Sequence, residues 1–197
     1  DVLERDPQSR EPPSGREAHD RMQTVLDQSW QRLPLIDRDA MLALSTFRGA
    51  FTPSGARTVA TAGLPQLSSL VQRGLLGVDE RGRFVMHPLL AADAAARAAS
   101  NAEAVLFAEN RHAEFHARHL MNLRKELQAD ARRVAMEIDG VHADAKAAWA
   151  HAARSGRRDW IDAMRAPWRG YFNVTYQPEN AVAHFEVAAA MPGDDAS

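Results

Sequence analysis

The segment "LPQLSSLVQRGLLGVDERGRFVMHPLL", residues 64–90, changes its periodicity twice, and the fold follows from where it does so. Leu67, Leu70 and Val71 recur at helical spacing, and the run stops at Arg73-Gly74, a basic residue followed by the glycine that commonly closes a helix. The next runs, "LLGVD" and "RFVMH", flank the turn "ERG" and predict a β-hairpin, the one convincing hairpin in the sequence. Pro88 then suits the first turn of a new helix, where its missing N–H would have had no intrahelical partner.

Working backwards, Thr52 and Pro53 form a cap with proline at the first helical position, opening a short helix that carries Ala56, Val59 and Ala60. Before it, Asp37 is the expected N-cap of a helix whose Met41, Leu42, Leu44 and Phe47 pack inward. An earlier stripe of Met22, Val25, Leu26, Ser29 and Trp30 is broken by "RLPLIDRD". Residues 1–18 hold three prolines, a glycine and many charges, and read as a flexible lead-in. Three helices followed by a two-stranded wing describe a winged helix, assigned to residues 19–100.

From Pro88 onward the pattern is helical almost throughout. Helices are expected near 88–99, 102–128, 130–155, 158–173 and 178–190, with turns near Ser100-Asn101, Ser155-Gly156 and Tyr176-Gln177-Pro178. Antiparallel helices joined by short loops form a bundle or a helical-repeat solenoid. This arm is assigned to residues 101–191, and "PGDDAS", 192–197, to a linker. The expected fold class is therefore mainly α.

The totals agree. The 197 residues suffice for one medium domain or two small ones. Basic residues number 24 against 26 acidic, which places the chain in no membrane, disordered or strongly nucleic-acid-attracting class. Abundant alanine points to closely packed helices. The absence of cysteine excludes disulfides, thiolate zinc sites and thiol nucleophiles. No signal peptide or long apolar run is visible, so a cytoplasmic location without a membrane partner is the default. The start at Asp1 and the linker-like end suggest a piece of a longer protein.

Several words are familiar in combination. "LDQSWQRLPLIDRDAMLALSTFRGAFTPSGARTVA" (26–60), "LPQLSSLVQRGLL" (64–76) and "RFVMHPLL" (83–90) resemble the winged-helix region that follows the nucleotide-binding core of STAND-class signalling NTPases. The matching positions are Ser29-Trp30 with Leu33, Phe47-Arg48-Gly49-Ala50-Phe51-Thr52, and His87. The words "NRHAEFHARHL" and "DGVHADAKAAWAHAARSGRRDW" are similar to the helices leading into tetratricopeptide-type repeats. The resemblance spans roughly residues 16–190.

The resemblance implies a non-catalytic regulatory section. It would couple the nucleotide state of an intramolecular NTPase domain, which holds ADP or ATP with magnesium, to a repeat region that senses a protein or small-molecule signal. No Gly-x-x-x-x-Gly-Lys-[Ser/Thr] loop is present, so the chain alone is not expected to hydrolyse ATP or to hold a cofactor. Met86-His87-Pro88 resembles the Met-His-Asp motif of these proteins, which implies that His87 approaches the β-phosphate of ADP. Proline stands where the family has aspartate, removing an N-capping carboxylate. The local alternative is that His87 caps or packs at a strand-to-helix junction.

Other signals are weighed on their residues. A DNA-reading helix needs cations and base-edge donors. Here the candidate offers only Arg73, Gln66 and Gln72, and the hairpin turn mixes Asp79 and Glu80 with Arg81 and Arg83, so direct DNA binding is disfavoured. A DNA-binding regulator with a helical dimerisation or ligand domain is the alternative from another class; a pure helical scaffold is a third. His112, His116 and His119 share one sector of a helix and could in principle bind zinc. Three ligands from one straight helix rarely converge, so packing is preferred and no metal is assigned. Arg132-Arg133, Arg154 and Arg157-Arg158 read as solvated helix ends. Trp160, Trp168, Tyr171, Phe172 and Tyr176 read as core. The last helix, around "QPENAVAHFEVAAAM", is expected to leave an apolar face uncovered. No Ser-His-Asp arrangement or paired-carboxylate cleft is visible.

Overall fold

Alanine and leucine make helix the default conformation of this chain. The computed structural model describes residues 15–191 and is mainly helical, with ten helices and one two-stranded sheet among those residues. The lead-in expected before Gly15 and the linker after Met191 lie outside the described residues. The first helix, α1 (Gly15–Gln31), starts within the expected lead-in and belongs to a unit that runs to Pro34. Within its predicted apolar stripe, Val25 is exposed, whereas Leu26, Ser29 and Trp30 are partly buried.

The second unit begins at Leu35 with α2 (Leu35–Leu44), α3 (Pro53–Ala60) and α4 (Leu64–Gln72). Asp37 is the third residue of α2 and not its cap, because the helix already starts after Pro34. Thr52 caps α3 as expected, its hydroxyl accepting from Gly55 N–H at 3.1 Å with Pro53 at the first position. Gly74, at φ +72°, ends the α4 segment in a conformation that costs other residues strain.

The hairpin pairs β1 (Leu76–Val78) with β2 (Phe84–Met86) in antiparallel register, Leu76 opposite Met86 and Val78 opposite Phe84. Asp79 organises its turn, accepting from Arg81 N–H at 3.0 Å, from Arg83 N–H at 2.8 Å and from Arg83 Nε at 2.8 Å. These bonds, the Arg83 N–H first, hold the Asp79 carboxyl below its ordinary range. Phe51 adds an isolated bridge to Phe84, each donating to the other at 2.9 Å. Met41, Leu44, Phe47, Phe51, Val59, Leu67, Leu70 and Phe84 are buried.

The remaining helices are α5 (Pro88–Ala98), α6 (Ala102–Leu123), α7 (Ala131–Asp139), α8 (His142–Arg154), α9 (Arg158–Thr175) and α10 (Pro178–Ala189). Two predicted helices end differently. The one expected over 102–128 stops at Leu123 and tightens into a 3₁₀ turn over Arg124–Glu126. The one expected over 130–155 is two helices, α7 and α8, broken at Gly140-Val141. Glycine is among the weakest helix formers and valine is β-branched, so the break costs little. It lets Val134, Ala135 and Ile138 pack with α7 against α9 while Ala145, Ala148, Trp149 and Ala152 pack on α8, which lies against α6. Ala113, Ala117, Ala145, Ala148 and Ala152 are almost wholly buried, so α6 and α8 meet through small side chains.

Trp160, Trp168, Tyr171 and Phe172 lie in this core. Tyr176 departs from the expectation: it is 89% exposed and closes α9 at φ +53°. The α10 helix turns Val182 and Val187 outward and His184 inward. His184 lies between Trp149, at 4.6 Å between ring centroids, and Trp168, at 4.3 Å. Its carbonyl accepts from Trp149 Nε1 at 2.9 Å, which ties α10 to α8.

Burial, with Lys146 and His142 adding positive charge, pushes the His184 imidazole down to about 4. The unfolded chain therefore binds a proton near pH 6.5 that the folded chain refuses until about pH 4. The associated stability is complete above the higher value and is lost as the pH falls through this window. Thermal melts of the chain should show the midpoint dropping across that interval, and His184→Phe, which keeps the stacking ring and the backbone carbonyl, should flatten the drop.

Candidate functional site

His87 stands where β2 hands over to α5. Its Nδ1 accepts from Leu89 N–H at 3.2 Å, with Pro88 at the first helical position, and its ring is exposed. The local capping role is thus present. The residues singled out for nucleic acid are dispersed or engaged. Gln66 Nε2 donates to Ile36 O at 2.8 Å, and Arg73 Nε donates to Ser69 Oγ at 3.4 Å. The outward side of α4 carries Leu64, Pro65 and Ser68 beside Gln72 and Arg73. Arg133 pairs with Glu126, and Arg157 pairs with Asp159 at 2.7 Å while lying over the Trp160 ring. Arg132 and Arg154 are exposed.

The most organised chemistry lies where the loop 45–52, between α2 and α3, meets α6 and α8. The Asp144 carboxylate, in the first turn of α8, is 2% exposed. Its Oδ1 accepts from Arg48 N–H at 2.6 Å and from His112 Nε2 at 2.9 Å. Burial pushes this carboxyl up, but the His112 and Arg48 bonds and the nearby histidines outweigh burial and leave it below its ordinary range. An ionised carboxylate only accepts, which assigns the shared proton to His112 Nε2.

One turn further along α6, His116 is 3% exposed, its ring 4.6 Å from that of His112. Neither of its nitrogens has a hydrogen-bond partner. Burial and the neighbouring His112 push it down to about 3, so it is neutral. Phe47 packs its ring against both, at 5.1 Å from His112 and 6.2 Å from His116. The ligating atoms of His112, His116 and Asp144 all lie within 4.8 Å of one another. His116 also lines a cleft of about 490 Å³ with Phe51, Thr52, Ser54, Phe115 and His119.

Sequence reasoning grouped His119 with the other two histidines, and the structure separates it. Seven residues along a helix amount to roughly 10 Å of rise, so His119 cannot reach the point where His112 and His116 meet. Asp144 takes the third place, and periodicity in α6 alone could not have found it. A signal exists within α8: Asp144 stands four residues before Ala148 and seven before His151, in register with its buried side. A carboxylate on an otherwise apolar stripe marks a polar contact with another element.

A second grouping brings His151 near Glu109, Asn110 and Ser155. His151 Nδ1 lies 3.4 Å from Glu109 Oε2, and Nε2 lies 2.9 Å from Asn110 Oδ1 and 3.3 Å from Ser155 Oγ. The order resembles a nucleophile, a base and an orienting acid. The Asn110 acceptor, however, fixes a proton on Nε2, leaving no lone pair to take one from Ser155.

Comparisons with protein-family models, with curated proteins and with solved structures return no match. Among the described residues, no helix is long and apolar enough to cross a membrane.

The Asp144 arrangement has a direct test. Asp144→Ala strands the Arg48 N–H and the His112 N–H in the interior, and a loss of about 3 kcal/mol in urea-induced unfolding is expected. Asp144→Asn retains one acceptor for those donors and should lose clearly less.

Proposed function

We propose that the chain is the regulatory section of a STAND-class signalling NTPase or transcriptional regulator. On this reading α2, α3, α4 and the hairpin form a winged helix that docks on a nucleotide-binding domain, and α6 to α10 form an arm that leads into tetratricopeptide-type repeats. The observation that carries the reading is the position of Phe47-Arg48-Gly49-Ala50-Phe51-Thr52, one of the words whose order and spacing make up the resemblance. Phe47 packs on His112 and His116, Arg48 N–H is held by Asp144, Phe51 pairs with Phe84, and Thr52 caps α3.

Two further ties join the same halves: Arg83 Nη1 donates to Gly140 O at 3.0 Å, and Arg111 Nη1 donates to Thr61 Oγ1 at 3.2 Å. A displacement imposed on the hairpin half would therefore move the arm with it. That is what a coupling element needs.

In this role the chain holds no nucleotide by itself. ADP or ATP with magnesium would belong to the NTPase domain, and His87 would contribute an exposed imidazole beside the N-terminus of α5, a favourable place for a phosphate. The partners would be that domain and whatever signal the repeats receive, in the cytoplasm. The DNA-binding alternative is weakened by the outward side of α4, which carries Arg73 as its one cation, since phosphate neutralisation supplies most of the affinity for a duplex.

The coding sequence upstream of Asp1 provides the first test: a P-loop about two hundred residues before it is expected. In the protein that carries it, His87→Ala should weaken ADP retention and raise basal output. Unchanged values for both would remove the sensor role. A salt-titrated duplex assay should show no binding that falls steeply with salt, and such binding would favour the alternative.

A further inference from the structure

We propose that His112, His116 and Asp144 form a binding site for one zinc ion at the joint between α6, α8 and the loop after α2. The proposal does not depend on a nucleotide-binding domain, because every group it uses lies within Leu35 to Met191.

The donor set has the right chemistry and the right spread. Two imidazoles and one carboxylate are borderline nitrogen and hard oxygen ligands, which suit zinc and disfavour magnesium or calcium, whose sites are built from oxygen. His112 and His116 are spaced i, i+4, the separation that puts two imidazoles on one face of a helix toward a common metal. Asp144 comes from a different helix, which supplies the convergence that three residues of α6 could not. Zinc bonds of about 2.0–2.2 Å place tetrahedral ligand atoms roughly 3.3 Å apart. The three donors already lie within 4.8 Å of one another, and small side-chain rotations close the remainder.

The unpartnered His116 is the observation that calls for a ligand. Both of its ring nitrogens are buried with no hydrogen-bond partner, beside a carboxylate whose Oδ1 already accepts from Arg48 and His112. Leaving such a group unsatisfied costs roughly 1–3 kcal/mol, and a packing role would be filled better by an apolar ring. Metal coordination satisfies one nitrogen. The surroundings also behave as a supporting layer: Arg48 N–H orients the carboxylate, and the Phe47 ring fixes the planes of both imidazoles. His116 lines the cleft beside Thr52 and Ser54, which gives an ion a route inward and leaves room for a water as fourth ligand. On entry the ion takes the place of the His112 Nε2 proton; the neutral imidazole keeps one N–H, so the proton is relocated to Nδ1 by exchange with solvent and the Asp144 oxygen is freed to ligate.

Calorimetric titration of the tag-free, chelator-treated chain with zinc chloride near neutral pH is the test, combined with thermal melts and cobalt(II) absorption. Expected results are one ion per chain with micromolar or tighter affinity, a higher melting temperature and the visible bands of tetrahedral cobalt. His116→Phe should keep the fold, by circular dichroism, and weaken zinc binding by about 100-fold, whereas His119→Phe should leave it unchanged. If His116→Phe does not fold, His116→Gln carries the same comparison. Absence of stoichiometric uptake by the folded wild-type chain overturns the proposal, as does uptake that survives loss of His116.

Discussion

A buried carboxylate must be surrounded by donors, and this requirement at Asp144 sets the position of everything near it. The donors come from two directions: a histidine on α6 and a backbone N–H in the loop after α2. Neither is close in sequence, since Arg48 lies 96 residues from Asp144 and His112 lies 32 away. Removing either donor would leave negative charge in a site from which water is excluded, at several kcal/mol. The α2–α3 loop, α6 and α8 are therefore held in one arrangement by a single side chain, and the Phe47 ring packs into the geometry so defined.

Alanine makes that arrangement reachable. A short side chain such as aspartate spans from α8 to both partners only if the helices approach closely, and the alanines buried on α6 and α8 allow it. Larger residues there would open the gap and strand the carboxylate. On its far side α8 meets α10 and α9 through larger groups. Trp149 and Trp168 enclose His184, and the Trp149 indole N–H bonds its carbonyl. Thus α8 is tied by a polar contact to the hairpin half and by aromatic packing to the end of the arm.

Local signals were the legible ones. Thr52-Pro53, Arg73-Gly74, the "ERG" turn and Pro88 each act through their own backbone geometry, so their chemistry survives without knowledge of neighbours, and the structure places a cap, a stop, a turn and a start there. The misplaced elements depend on what packs against them. Helical periodicity runs across Gly140; glycine and valine make a break cheap there, and the packing of α7 on α9 and of α8 on α6 makes it favourable. Tyr176 matches the aromatic run around it, yet its left-handed backbone directs it to solvent. Asp37 is a good capping residue by type, but Pro34 moved the helix start two residues upstream of it. Asp144 was invisible for a related reason. A contact between distant segments leaves no periodic trace, and its register with the buried side of α8 becomes meaningful only once a partner is known.

The two histidine settings illustrate how one residue type divides between surface and interior roles. His87 makes a single capping bond at an exposed helix start, an interaction worth on the order of 1 kcal/mol, so the fold does not rest on it. A change there alters what an approaching partner meets while the scaffold stays intact. His112 is the reverse: its ring is enclosed by Phe47, His116 and the Asp144 carboxylate, and altering it disturbs the joint before any partner is involved. The proposed coupling role would use this division, with recognition carried by groups that cost little to expose and transmission carried by groups that cost much to disturb.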